Sequence, residues 1–268
     1  MSKQIVHVLP TADMWKAEQE AWNERSQFFV NMHERADRVE QVDAFYDFLR
    51  EENLLPEGAK TLDIGCATAD YALKLAQEGC DAYGIDLSDG MIQGAASLAK
   101  AKDIPITLYV GAWSEETRQE LAWDGTFDLV YTKFCPIMFE ADNLKAMHAA
   151  SREACVWVAF KRRYDKMVEL LFKAFDQPYG SWSEGYEEAL ETIHAIGRDV
   201  KEELKEYKTT ETFNLDQAVD YFSMRIRDDS MSRDQVKAKV REVLSSQLVG
   251  GQIVNESIAV VAYVTWTK

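Results

Sequence analysis

Two acids and a run of small residues set the chemistry this chain can do. Asp63 stands near the end of the apolar run Thr61–Ile64, and Gly65-Cys66-Ala67-Thr68-Ala69 follows it. A second acid, Asp86, closes the run YGID 21 residues after Gly65. That separation fits a strand–turn–helix–strand unit, which holds a nucleoside-containing cofactor at the carboxyl edge of a sheet. A carboxylate ending the second strand can accept from both ribose hydroxyls. Gly65 lets the chain turn sharply and lets its backbone approach a ligand. A dinucleotide would instead need G-x-G-x-x-G for its pyrophosphate. In that frame this turn has Gly65, Ala67 and Asp70, and the Asp70 carboxylate would repel phosphate. A GKS or GKT phosphate loop and a G-x-S-x-G elbow are both absent.

The elements that must position these residues alternate. Helix is expected from Thr11 to Glu52 in two pieces, with Val39, Val42, Phe45, Tyr46 and Leu49 forming one buried stripe. Strands are predicted at Thr61–Gly65, Asp81–Asp86, Ile104–Val110, Phe127–Lys133 and Ala154–Phe160, with helices between them. Ser88 is placed to cap one of those helices. Such alternation implies parallel pairing with right-handed crossovers. Beyond it, Val200–Phe213 reads as an exposed edge strand and Ile258–Trp266 as a buried final strand, with helices at 165–175, 183–196, 214–225 and 232–248. The expected fold class is α/β: a doubly wound, mostly parallel, seven-stranded sheet with helices on both faces and helical cap additions. We expect a single domain over residues 1–268. It comprises an N-terminal helical lid at 1–53, a cofactor-binding core at 54–160, and helical insertions at 161–199 and 214–250.

Composition narrows the classes. The 268 residues are 47% hydrophobic and 28% charged, the balance of a folded globular chain. A formal net charge of -16 repels phosphate backbones, which argues against nucleic-acid partners. Cys66, Cys80, Cys135 and Cys155 form no C-x-x-C pair and none lies at helical spacing from a histidine, so no metal site or disulfide framework is expected. Scattered thiols suit a reducing cytosol. The segment MSKQIVHVLP carries no long apolar stretch, and no run of about 18 apolar residues occurs, so the expectation is a cytoplasmic protein with no membrane partner.

The stretch LDIGCATAD resembles the first motif of the class I S-adenosylmethionine-dependent methyltransferases, an acid and one residue before Gly-x-Gly-x-Gly, with alanines at the second and third glycine positions. The resemblance covers about Leu54 to Phe160. It implies S-adenosyl-L-methionine as cofactor, held by Asp63, Gly65, Cys66, Ala67, Asp86, Leu87, Met91, Ala112, Trp113 and Lys133. Asp63 would accept from the ammonium of the methionine moiety, and Leu87 and Met91 would flank the adenine. Family members often end the third strand in an acid; here Ala112 and Trp113 stand there, and the Ala112 amide and the indole face are expected to replace it. A Cβ at Ala67 or Ala69 requires negative φ. YTKFCPIMF matches the loop beside the methyl group, so Lys133, Phe134, Cys135 and Pro136 should face cofactor and substrate.

Methyl transfer from a sulfonium is an in-line displacement that rests on holding the nucleophile in a dry pocket, so no obligatory catalytic residue is assigned. Trp22, Phe28, His33 and Cys135 are the candidates to meet a small-molecule acceptor, with Phe29 and Arg25 in the same helical segment. For each, ordinary core or solvated surface is the competing reading. Tyr131 is expected beneath the site, and His148 and His194 are read as structural. Phe172, Phe175, Tyr179, Trp182 and Tyr186 would either wall an acceptor pocket or form a cap with its own core. The helices at 215–248 would be a second cover or a dimer surface. Two alternatives stay open: methylation of protein, and a cofactor-binding regulator without turnover. A Rossmann-like domain that binds another nucleotide, or none, is the remaining competitor.

Overall fold

The computed structural model describes residues 4–33, 36–180, 184–228 and 230–268. Its elements are β1 (Gln4–Val8), α1 (Lys16–Met32), α2 (Ala36–Glu51), β2 (Lys60–Ile64), α3 (Asp70–Gln77), β3 (Asp81–Asp86), α4 (Asp89–Ala101), β4 (Ile106–Val110), α5 (Glu115–Glu120) and β5 (Phe127–Lys133). There follow α6 (Ala141–Ala150), β6 (Ser151–Asp165), α7 (Lys166–Ala174), α8 (Tyr186–Ile196), β7 (Arg198–Phe213), α9 (Leu215–Ser223), α10 (Arg233–Ser245) and β8 (Ile253–Thr267). Eight strands form one sheet in the order β1-β4-β3-β2-β5-β6-β8-β7. The pairs β1/β4, β4/β3, β3/β2, β2/β5 and β5/β6 are parallel. From β2 the chain order runs outward one way through β3 and β4 and the other way through β5 and β6. The carboxyl ends of β2 and β5 therefore flank a topological switch point, where a crevice opens in such sheets.

The sheet has eight strands rather than the seven expected. The addition is β1, which falls in the segment read as helical lid. QIVHV is only five residues long and gains its strand character from its partner: Gln4 to Val8 pair with Ile106 to Val110. His7 stacks on Tyr109 at 4.6 Å, and the Leu9 amide continues the ladder to the Val110 carbonyl at 2.9 Å.

Contacts group the residues into two compact units, where the sequence reads as one domain with additions. The first comprises Met1–Ala159, Gly185–Glu203 and Tyr263–Lys268; the second comprises Phe160–Glu184 and Leu204–Ala262. In the first, small residues let helices approach the sheet closely: Ala72, Ala76, Ala95 and Ala99 are buried against Ala82, Ile106 and Leu108. The second unit has its own core of Met167, Leu171, Phe175, Val219, Phe222, Val240 and Leu244. Phe172 and Tyr179 pack against that core, so with Phe175 they behave as cap residues. Tyr186 instead belongs to the first unit, stacked on Trp157 at 5.2 Å. Trp182 lies outside the described residues. Helix starts follow local chemistry. Ser88 accepts the Met91 amide, and Asn214 with Gln217 and Ser232 with Gln235 form capping boxes.

Helix α1 has no fully buried residue and docks by other means. One face, Gln19, Asn23, Ser26 and Val30, lies along α4. Gln19 Nε2 donates to the Leu87 carbonyl at 2.9 Å, and Asn23 Oδ1 accepts from Ser88 Oγ at 2.6 Å. Two glycines of α4 make the notch: a Cβ on Gly90 would come within 2.7 Å of Ser26 Oγ, and one on Gly94 within 2.6 Å of Val30 Cγ2. Gly94→Ala should raise the helix propensity of α4 by up to about 1 kcal/mol while forcing α1 off its seat. Hydrogen exchange is expected to speed up across Lys16–Met32 and stay unchanged in Asp89–Ala101. Unchanged exchange in α1 would refute this mode of docking.

Candidate functional site

At the end of β2 the chain makes a turn with three left-handed residues: Gly65 at φ +68°, Ala67 at +48° and Ala69 at +58°. The expectation of negative φ at both alanines is therefore overturned. Each carries a Cβ where L-residues lose roughly 1–2 kcal/mol. Hydrogen bonds enforce the shape. The Gly65 and Cys66 amides both donate to the Ile85 carbonyl, at 2.8 and 3.1 Å, and the Ala67 amide donates to Asp86 Oδ2 at 2.8 Å. Gly65 is also sterically required, because a Cβ there would stand 2.6 Å from Cys135 Sγ. The Gly65 turn thus touches the loop that follows β5.

Asp86 is half-buried at the end of β3 and holds two amides: Ala67 on Oδ2 and Ser88 on Oδ1, the latter also at 2.8 Å. Burial pushes its pKa up, and the two amides pull it part of the way back. Each oxygen keeps a second lone pair to offer a ligand hydroxyl. Asp63, 2% exposed, is the more extreme case, for its Oδ2 has no hydrogen-bond partner. Burial raises its pKa well above the usual carboxylate range, and the Asp86 charge adds to that. Tyr131, Arg38 and Lys133 work in the opposite direction. The Tyr131 hydroxyl is close enough to act on Asp63, yet its oxygen completes no hydrogen bond either. Tyr131 is fully buried opposite Asp63 in the β2/β5 pair, with burial holding its phenol well above its ordinary pKa.

Other expected site residues divide. Met91 is 1% exposed at the start of α4, and the Leu87 carbonyl is capped by Gln19. Cys66 turns away from the crevice: its Sγ occupies the space beside Gly84, and its amide is already bonded. Trp113 is taken up in the core, where Nε1 donates to the Asn143 carbonyl at 3.2 Å and the ring faces Trp123 at 6.4 Å. Its indole face is thus committed elsewhere. The Ala112 carbonyl accepts from Thr117 Oγ1 at 2.7 Å. Lys133, at the end of β5, holds its ammonium over the rings of Tyr71 (4.2 Å), Phe45 (4.3 Å), Tyr263 (5.6 Å) and Phe134 (5.8 Å). This cage escapes sequence reasoning because its rings come from four separate segments.

Of the four candidates for meeting an acceptor, Cys135 stands against Gly65, and burial pushes its thiol up to about 12. His33 is a structural link instead: Nδ1 donates to Asp70 Oδ1 at 2.5 Å while Lys102 Nζ donates to Nε2 at 2.9 Å. Asp70, 5% exposed, also receives Arg38 Nε on Oδ2 at 2.7 Å. Its charge is therefore paired, and any repulsion of phosphate here comes from Asp63 and Asp86. Burial lowers the proton affinity of Arg38, but Tyr71 and Asp70 outweigh it and the net shift is upward. Trp22 lies under the Arg25 guanidinium at 4.9 Å, and Phe28 meets Phe29 edge-on at 5.8 Å; all four are partly exposed on α1. His148 accepts from Trp266 Nε1 at 3.2 Å, a structural contact. Among the described residues no three His, Cys, Asp or Glu side chains converge as metal ligands, and no helix is long and apolar enough to cross a membrane.

Comparison with known proteins places this turn. Residues 61–155 match the family model described as "Methyltransferase domain". Two curated proteins with methyltransferase in their names align with this chain. One, from Geobacillus sp. (strain WCH70), is 38% identical over 121 residues, 45% of this chain and 43% of its own length. The other, YqeM of Bacillus subtilis (strain 168), is 33% identical over 79 residues, 30% of each chain. The chain thus spans less than half the length of these relatives. Among solved structures, the YcgJ protein of Bacillus subtilis superposes with a TM-score of 0.52 at 14% identity, covering 82% of this chain and 96% of that one. Magnesium protoporphyrin IX methyltransferase of Synechocystis PCC 6803, solved with bound SAM, gives 0.51 at 13% identity, covering 94% and 97%. Those structural likenesses establish the fold.

Two outcomes follow from the strained turn and the buried acid. Ala67→Gly should stabilise the protein by up to about 1 kcal/mol, since glycine adopts positive φ without a Cβ penalty. Ala69→Gly should gain less, because the buried methyl it removes is worth about 0.8 kcal/mol. Urea denaturation compares the two, and a loss at Ala67 would contradict the left-handed assignment. Because its folded pKa is raised, Asp63 binds its proton more tightly in the folded state. Stability is then lost as pH rises above the unfolded carboxylate's value near 4. Asp63→Asn removes that loss, so its thermal midpoint should gain on wild type progressively from pH 5 to pH 8. A difference independent of pH would show that the acid is not held in this way.

Proposed function

We propose, from the match of residues 61–155 to the methyltransferase domain and the resemblance of LDIGCATAD to the first motif of the class I S-adenosylmethionine-dependent methyltransferases, that this chain transfers a methyl group from S-adenosyl-L-methionine to a small-molecule acceptor. The observation that carries the reading is the unpartnered, buried Oδ2 of Asp63 beside Asp86 at the switch point. A crevice edged by two carboxylates disfavours a pyrophosphate and favours a phosphate-free nucleoside that brings its own cationic groups. Asp63 would take the ammonium of the methionine moiety and so gain the partner its Oδ2 lacks. Asp86 would take the ribose hydroxyls on its remaining lone pairs. Met91 and Leu87 would border the adenine. When bound, the cofactor supplies a methyl group already activated on a sulfonium.

The chain's own groups are poor acids and bases for the remainder. Both ring nitrogens of His33 are occupied. The Cys135 thiol, pushed up to about 12, stays neutral at physiological pH, as does the buried Tyr131 phenol. Catalysis here is then positioning of an acceptor that arrives nucleophilic, with water excluded. The net charge of -16 supports a small molecule over nucleic acid as acceptor.

Asp86→Asn keeps the side-chain volume and removes the charge. Losing charge-assisted hydrogen bonds of about 1.5–3 kcal/mol should weaken S-adenosylhomocysteine binding by roughly 10- to 150-fold in calorimetric titration. Equal affinity in a folded variant would remove Asp86 from the site. With labelled cofactor and a cell extract, label should enter the low-molecular-weight fraction. Label in protein would reassign the acceptor class, and tight binding with no transfer would leave a regulator.

A further inference from the structure

The methyl-transfer reading leaves a buried hydroxyl unused beside its key acid. Asp63 and Tyr131 are partners in the β2/β5 register, so their side chains share one face of the sheet. Both are out of water, at 2% and 0% exposed. Asp63 Oδ2 and Tyr131 Oη each lack a hydrogen-bond partner, although the phenol stands close enough to Asp63 to act on it. A bare carboxylate is disfavoured in such a place unless a donor or a cation joins it.

The surroundings are apolar or already engaged. The Phe45 ring packs on Tyr131, 5.4 Å between centres. From α2, Arg38 gives Nε to Asp70 at 2.7 Å and Nη1 to Tyr71 Oη at 3.1 Å. From β5, Lys133 lays its ammonium against the Tyr71 and Phe45 rings. These two cations favour an ionised Asp63, and the Asp86 charge, from β3, opposes it. The Tyr71 phenol and the Cys66 and Cys135 thiols also lie within reach of the acid, and burial keeps all three neutral. Burial is the largest influence on Asp63 itself, and it favours the proton.

We infer that Asp63 and Tyr131 form a single proton-linked receptor for the ammonium of the methionine moiety. Asp63 holds its carboxyl proton while no ammonium stands beside it. Beside that ammonium, Asp63 accepts an N–H on Oδ2 and Tyr131 accepts another on Oη. The Asp63 O–H bond breaks, its electron pair stays on the carboxylate, and the proton passes to solvent. No other covalent bond changes. The inference rests on the proposed cofactor, and adds to its binding a second acceptor, Tyr131, and the release of a proton.

The test is calorimetric titration of the full chain with S-adenosylhomocysteine at pH 6, in phosphate and in imidazole, whose ionisation enthalpies differ. The apparent binding enthalpies should differ in the sense that buffer takes up a proton. From pH 5 to pH 8 affinity should rise, by up to about tenfold per unit while Asp63 is still protonated. Asp63→Asn has no proton to lose, so it should bind more weakly, with one enthalpy in both buffers and an affinity flat with pH. Tyr131→Phe should bind about three- to tenfold more weakly yet still release the proton. Affinity equal to wild type in Tyr131→Phe would overturn the two-oxygen receptor. The buffer comparison needs only the wild-type chain, so it decides even where a variant does not fold. Equal enthalpies in the two buffers with S-adenosylhomocysteine bound would overturn the inference and leave the cofactor assignment standing. No binding at any pH would sink the cofactor assignment, and the inference with it.

Discussion

Asp86 ties together the two turns that shape the crevice. One carboxylate oxygen takes the Ala67 amide and the other takes the Ser88 amide, so the loop after β2 and the start of α4 are both fastened to the end of β3. One residue earlier, the Ile85 carbonyl takes the Gly65 and Cys66 amides. Four backbone donors thus converge on two consecutive residues. The sequence suggests a backbone that approaches a ligand at Gly65; the structure spends the amides of Gly65, Cys66 and Ala67 on holding the turn itself. The turn is thereby preorganised, and what it presents is acceptor capacity from carboxylates.

That preorganisation carries unfavourable features, concentrated in a few residues. Ala67 and Ala69 adopt left-handed conformations, and Asp63 is buried with an unsatisfied oxygen. Such features persist only where surrounding structure over-determines them. Here the close-packed layer of Ala72, Ala76, Ala95 and Ala99 against β3 and β4 does so. By contrast α1 has no buried residue and sits in a glycine notch through hydrogen bonds. Rigidity and looseness are thus distributed by element: a strained, fixed cradle, and a helix fastened beside it by weaker means.

Much of the framework is legible from residue order because buried parallel strands read as apolar runs between helical periods. Thr61–Ile64, YGID and Phe127–Lys133 declare themselves in that way, and so does the cap at Ser88. What escapes reading depends on partners far along the chain. QIVHV becomes a strand only beside β4, about 100 residues on. Asp70 looks like a free carboxylate until Arg38 and His33, 32 and 37 residues earlier, are found to pair with it. The Trp113 indole face looks like a replacement for a missing acid until the Asn143 carbonyl claims its N–H. The sign of φ at Ala67 is hidden for a related reason: side-chain type favours negative φ, and a tertiary hydrogen bond to Asp86 wins.

The direction of the pKa shifts is an argument about mechanism in its own right. Burial raises Cys66, Tyr71, Tyr131 and Cys135 alike, and Asp63 and Asp86 with them. For thiols and phenols the consequence is neutrality across physiological pH, so none of them is poised as a base or nucleophile. For the carboxylates the same burial means that an ionised form is favoured chiefly when a cation stands beside it. A crevice with these properties gains from a ligand that brings positive charge. It has little to offer a reaction that needs protons moved. A donor that is itself a cation meets both conditions, because its leaving group departs neutral and needs no proton from the protein.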